Sequence, residues 1–265
     1  MPKLVLGDNP FFAVSHLGPQ KSREYLANEY RFADAAEIIR DAKHNGLDTF
    51  MISSHQETLD LLQAAGYDTA LDLPDICLVV PNVHEMNAKA ASNGLLGALR
   101  QRFSGSRIYD LRPKRLFQKF VMNDVVFKKS THVALHNVVV DLLLGLRATF
   151  ALRLFSRLCR SAGYKPVFIT LNPIKLMIAD IPCHAVCCYY NSVGYNVCDE
   201  PSNVLATAKN TKNVSEIWAM GVVASGAISY KELGNDSYLQ QFDRVLIASS
   251  KNERVRDMAR MISNE

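Results

Sequence analysis

The chain has 265 residues, 48% of them hydrophobic and 21% charged, with a net charge of +4 and an isoelectric point near 8.7. That balance excludes a disordered or low-complexity chain, and the length suffices to bury a full core. The longest apolar run, residues 138–144, contains Asp141 and is far shorter than the ~20 residues of a membrane span; the N-terminus turns acidic at Asp8, too early for a signal peptide. The expectation is a cytoplasmic protein with no membrane partner.

Short β-branched runs alternate with amphipathic stretches along the chain. Strands are predicted at residues 3–6, 47–52, 76–80, 133–136, 166–170, 184–189, 217–222 and 244–248. Helices are predicted at residues 33–45, 55–66, 85–102, 147–162, 202–209 and 252–262, with a short one after Pro173. Gly46, Gly66 and Gly163 supply helix stops. Such alternation argues for a parallel sheet with helical crossovers, and eight strands is the number that closes a (β/α)₈ TIM barrel. We read residues 1–265 as one such domain with two irregular stretches. A long loop spans residues 7–32, where Phe11, Phe12, Tyr25 and Tyr30 could form a lid. A basic insertion occupies residues 103–130.

Six cysteines invite a disulfide or metal reading. A chain this large does not need disulfides, and the Cys183, Cys187, Cys188 and Cys198 group lacks paired C-x-x-C spacing. Two of those residues fall in a predicted buried strand, so core packing is the preferred reading. The positive surplus is concentrated between Arg100 and Lys129. No recognisable nucleic-acid module accompanies it, which favours a solvated basic face or an anionic-ligand gate and no nucleic-acid partner.

In a barrel of this kind the active site forms at the C-terminal ends of the strands. The residues just after them make a polar ring. Asp8, His55, His84 and His136 are the candidate catalytic residues in that ring. Asn9, Asn82, Asn137, Asn172 and Asn191 are candidate substrate binders. Several histidines converging on one mouth favour a site over scattered structural roles. Ser225, Ser249, Ser250, Lys251 and Arg254 lie where barrels often hold phosphate; the free N–H groups of a helix start suit an anion. The alternative for the serines is a plain helix cap.

Several of these segments resemble the aldo-keto reductases. Residues 4–7 are similar to that family's opening strand, and Gly46-Leu47-Asp48-Thr49 to its strand-two motif. Ala134-Leu135-His136 resembles its fourth strand with the terminal histidine, and Thr170-Leu171-Asn172 stands where the family carries a Ser-Asn pair. Residues 219–226 and 246–250 resemble strands seven and eight with the cofactor-phosphate turn. The opening Gly7-Asp8-Asn9 before Phe11 and Phe12 also resembles a set of uncharacterised bacterial barrel proteins. The resemblance implies the barrel fold and an NADPH pocket, and it carries Asp48 and His136 into two of the four roles of the family's Asp, Tyr, Lys and His tetrad. Ser53 occupies the position of the tyrosine, and Pro81-Asn82 stands in place of the lysine.

Four readings follow. The leading one is a lyase or isomerase that moves protons on a small, anionic carbonyl or sugar-like substrate, because histidine and carboxylate pairs divide acid and base work near neutrality. The second is an NADPH-dependent reductase in which His55 or Tyr190 replaces the missing acid. The third is divalent-metal chemistry on Asp8, His55, His84 and His136, whose imidazole and carboxylate groups suit Zn, Mn or Fe. The fourth is a non-catalytic binding subunit contacting partners through the basic insertion. A small-molecule substrate is the expected partner, and a homo-oligomer is left open.

Overall fold

Every strand of this chain has hydrogen-bonded neighbours on both sides. The computed structural model describes residues 1–12, 32–53, 57–67, 73–81, 130–249 and 251–263. Its strands are β1 (Lys3–Gly7), β2 (Leu47–Ser53), β3 (Asp75–Val80), β4 (Ser130–Leu135), β5 (Lys165–Thr170), β6 (Cys183–Tyr189), β7 (Val214–Met220) and β8 (Arg244–Ile247). They pair in parallel in chain order, and β1 pairs with both β2 and β8, closing the barrel. The helices are α1 (Phe32–Asp41), α2 (Thr58–Ala65), α3 (Asn137–Gly145), α4 (Thr149–Ser161), α5 (Pro173–Ile178), α6 (Pro201–Asn210), α7 (Tyr230–Leu233) and α8 (Asn252–Ser263). This is the (β/α)₈ architecture read from the sequence.

Strand side chains alternate between two cores, as period two requires. Leu4, Leu6, Phe50, Ile52, Leu78, Val133, Phe168, Val186 and Val245 face outward. They pack on Ile38 and Ile39 of α1, Leu61 and Leu62 of α2, Leu176 of α5 and Val255 and Met258 of α8. Val5, Met51, Cys77, Val79, Ala134, Val167, Ile169, Ala185, Cys187, Trp218 and Met220 fill the interior. A small-residue side of Ala134, Ala185 and Cys187 leaves room for the indole of Trp218, which is fully buried. Cys77, Cys159, Cys183, Cys187 and Cys188 are all buried free thiols, and burial pushes the Cys77, Cys183, Cys187 and Cys188 thiols well above their ordinary range. They are core residues, inert at neutral pH.

Several elements differ from the sequence reading: β7 spans Val214–Met220 where 217–222 was expected, and α7 (Tyr230–Leu233) was not predicted. Strand four begins at Ser130, three residues earlier than expected, which brings Thr131 and His132 into the barrel wall. Residues 137–145 form a helix where the run of valines and leucines had no assignment. His136 starts this helix: its backbone is extended, and its Nδ1 accepts the N–H of Val138 at 3.2 Å. The β-branched valines are tolerated because Val140 and Leu144 pack against the barrel. The remainder of the predicted 103–130 insertion, the helix predicted at 85–102 and most of the 7–32 loop lie outside the described residues.

Candidate active site at the barrel mouth

The C-terminal ends of the strands form the mouth, and the first of them places a buried carboxyl there. Asp8 follows β1 directly and is 5% exposed. Its carboxylate accepts the backbone N–H of Ser53, the last residue of β2, at 2.7 Å. Its own carbonyl accepts the N–H of Phe11, which turns the chain into a short 3₁₀ segment, and the Phe11 ring packs on Phe50. Asp8 is therefore held from both sides. Burial raises its pKa from 3.8 to about 6, against the opposing effect of the Ser53 hydrogen bonds. A carboxyl poised near neutrality in a cleft is the property of an acid/base group.

The sequence reading missed Tyr189. The inward row of β6 runs through Ala185 and Cys187 to Tyr189, which packs against the interior core at the mouth. Its ring lies on Gly221 at the end of β7: a Cβ added there would stand 2.6 Å from the ring, and the glycine also has φ +71°. A tyrosine one residue before the expected position, facing a positive-φ glycine on the next strand, was the available signal. Tyr190, the predicted alternative proton donor, points the other way. It packs in the outer core against Phe242, and its hydroxyl donates to both carboxylate oxygens of Asp236 at 2.6 and 2.7 Å. Burial and that carboxylate raise its pKa far beyond use as an acid.

Asp48 corrects a second expectation. It is the second residue of β2, so it lies at the N-terminal end of the barrel, opposite the mouth. There it joins a charged network that closes the barrel floor. Arg244 donates to Asp48 Oδ1 at 2.7 Å, to Thr49 Oγ1 at 2.8 Å and through Nε to Glu216 Oε2 at 2.7 Å. Trp218 Nε1 donates to Glu216 Oε2 at 2.7 Å, His184 Nε2 stands 3.5 Å from Glu216 Oε1, and the guanidinium lies over the indole. Burial opposes the ionisation of Glu216, but hydrogen bonds from His184, Arg244 and Trp218 hold it well below the usual carboxylate range. His132 stacks between His184 and Trp218. Burial first, then the nearby Lys165, His184 and Arg244, lower its pKa from 6.5 to about 3.

The other predicted residues divide between scaffold and mouth. His136 continues the inward row of β4 and caps α3 through Nδ1, which leaves Nε2 as the protonated nitrogen of the neutral ring. Asn137 and Asn9 are half-buried at the rim. Asn172 stands at the N-cap position of α5, but its side chain turns away from the helix and its Nδ2 donates to Asp141 Oδ1 at 3.2 Å; Asp141 also accepts from Thr170 Oγ1 and the N–H of Leu171, clamping the end of β5 to α3. Asn191 is buried, with Nδ2 donating to the carbonyls of Tyr195 and Gly221 and Oδ1 accepting the N–H of Tyr195, so its amide holds loops together. Ser225 sits in a left-handed turn after β7, at φ 57°. Ser249 Oγ accepts the N–H of Lys251 at 3.1 Å just before α8, while Lys251 and Arg254 are exposed at its start. His55, Asn82, His84 and Ser250 lie outside the described residues. Among the described residues no group of three His, Cys, Asp or Glu side chains could hold a metal ion.

No family model matches this chain, and no curated protein matches it. Solved structures do. A Pseudomonas aeruginosa protein whose name places it with the aldo-keto reductases aligns over 98% of this chain and 89% of its own, at 13% identity and a TM-score of 0.58. A protein named as a 2,5-diketo-D-gluconic acid reductase B aligns over 99% and 83%, at 14% identity and a TM-score of 0.50. Dispersin B aligns over 99% and 97%, at 9% identity and a TM-score of 0.51. At these identities the likeness is one of fold, and the fold is an aldo-keto reductase-like TIM barrel.

Proposed function

We propose that this barrel is an enzyme that moves protons on a small, anionic carbonyl or sugar-like substrate without a redox step, as a lyase or isomerase, with Asp8 as its acid/base. The observation that carries the proposal is the buried Asp8 carboxyl at the mouth, lifted to about 6 and oriented by the Ser53 N–H. A group with that acidity exchanges its proton readily on either side of neutral pH. His136 brings an imidazole to the same mouth, and Tyr189 a phenol on the inward row. Lys251 and Arg254 supply positive charge for an anionic end of the substrate.

The likeness in fold to reductases supports a second reading, NADPH-dependent carbonyl reduction with Tyr189 in the place Tyr190 was expected to fill. Against it, the family tetrad does not assemble among the described residues, since Asp48 belongs to the barrel floor and Ser53 stands where the tyrosine would be. One experiment separates the two. The protein is incubated in D₂O with a panel of phosphorylated and free hydroxy-aldehydes and ketones, and deuterium at the carbon next to the carbonyl is read by proton NMR. Exchange without nicotinamide that falls about 10²–10⁴-fold in Asp8→Asn supports the proposal. Turnover that requires NADPH and survives Asp8→Asn overturns it in favour of the reductase.

A further inference from the structure

The outer surfaces of barrel helices are ordinarily polar, and here one sector is not. Val138 and Leu142 occupy one face of α3, and Leu146 and Arg147 follow in the tight turn into α4. Phe150, Arg153 and Arg157 then line the exposed face of α4 at helical spacing. Arg153 donates to the carbonyl of Ala179 at 2.5 Å, which joins this face to Ile178 at the end of α5. Phe150 is 74% exposed, Ile178 73% and Leu146 68%. Contiguous apolar surface of this kind is uncommon on a protein that meets only water. Its charge is equally one-sided. Between residues 137 and 180 stand Arg147, Arg153, Arg157, Arg160, Lys165 and Lys175 against two acids: Asp141, turned inward to Thr170, Leu171 and Asn172, and Asp180, exposed beside Ile178 with its carboxylate accepting from Asn213.

Apolar side chains projecting from a turn, surrounded by six cations and a single exposed acid, Asp180, match a surface that is oily inside and negative at its boundary. We propose that the face made by α3, the α3–α4 turn and the end of α5 docks on an anionic lipid bilayer. Leu142, Leu146 and Phe150 enter the headgroup boundary, and Arg147, Arg157 and Lys175 contact lipid phosphates. Among the described residues no helix is long and apolar enough to cross a membrane. Interfacial docking requires none, because it draws on buried apolar area and attraction to anionic lipid. The expectation of no membrane partner rested on the missing span and does not bear on this mode.

The test is co-sedimentation of the full chain with vesicles of phosphatidylcholine alone and of equal parts phosphatidylcholine and phosphatidylserine. The expected result is binding to the mixed vesicles only, weakened by salt. Each removed cation lowers affinity about five-fold, so Arg157→Gln with Lys175→Gln lowers it about 25-fold. Leu146→Ser with Phe150→Ser abolishes binding; all four positions are exposed, and thermal melting checks that the variants fold. Absence of binding to mixed vesicles, or equal binding by every variant, overturns the proposal. So does a dimer in light scattering that Leu146→Ser with Phe150→Ser converts to monomer without any vesicle binding, since a second copy would then own the face.

Discussion

Replacing Asp8 by Asn should make this protein more stable at neutral pH, and the size of the gain follows from the burial of the carboxyl. The native state holds the Asp8 proton up to about pH 6, whereas the unfolded chain releases it near 3.8. For an acid raised in this way, the stabilising contribution is fully present below pH 3.8 and is lost as the pH rises through 6. At 1.36 kcal/mol per pH unit, the interval from 3.8 to about 6 corresponds to about 3 kcal/mol withheld at pH 8. Asparagine keeps an oxygen to accept the Ser53 N–H and carries no charge to bury. The Asp8→Asn protein should therefore resemble the wild type near pH 4 and exceed it by about 3 kcal/mol at pH 8, roughly 6–10 °C in melting temperature for a domain of this size. Melting both proteins across that range gives the difference curve, which isolates Asp8 from every other titrating group. A difference independent of pH, or a midpoint near 4, would refute the burial argument and with it the poised acid. A gain in stability coupled to loss of proton exchange would identify Asp8 as a group kept for function at a cost to the fold.

Three further outcomes test the remaining architecture. His132 acts on pH in the opposite sense: its folded pKa is lowered from 6.5 to about 3, so stability is present above 6.5 and lost as the pH falls toward 3, and His132→Asn should remove an acid-side slope worth about 5 kcal/mol. An acid limb unchanged in the variant would show that other groups set it. Arg244→Met should destabilise by about 3–5 kcal/mol in urea unfolding, because Glu216 is left half-buried without its guanidinium, and adding Glu216→Gln should recover part of the loss; a decrease below about 1 kcal/mol would remove the network from the account of stability. Gly221→Ala should cost roughly 1–3 kcal/mol more than Gly226→Ala in melting experiments, since both glycines have positive φ but only the first meets the Tyr189 ring; equal losses would mean that the ring moves aside freely.

The barrel was legible because its signals are local and repeated. Each strand is a short apolar run between helix stops, and eight such runs leave few other closures. The helix at 137–145 was not legible for a definite reason. Three consecutive valines and three leucines carry no period that separates helix from strand, and its start is marked by His136, which caps through a ring nitrogen in place of the usual hydroxyl or carboxylate. Asp8 was found because it directly follows a strand, the one rule of site position that sequence alone can apply.

Asp48 shows where that rule was set aside. The Gly46-Leu47-Asp48-Thr49 match carried Asp48 into a catalytic role by resemblance, although the predicted strand at 47–52 already put it near the strand's beginning, where the structure has it. Counting along the run would have placed Asp48 five residues below the mouth and Ser53 at it, beside Asp8. The same counting distinguishes Tyr189 from Tyr190, since only one of two adjacent strand residues can face the interior. Partners thirty to two hundred positions away, such as Arg244 for Asp48 and Asp236 for Tyr190, cannot be read from spacing at all. Their consequence is a division of labour along the barrel axis. At the floor each buried charge has an opposite charge in contact, the condition under which ionised groups hold a fold together. At the mouth, among the described residues, Asp8 is held by hydrogen bonds from Ser53 and no cation, so burial tips it toward its neutral form, the state that the proposed proton transfer uses.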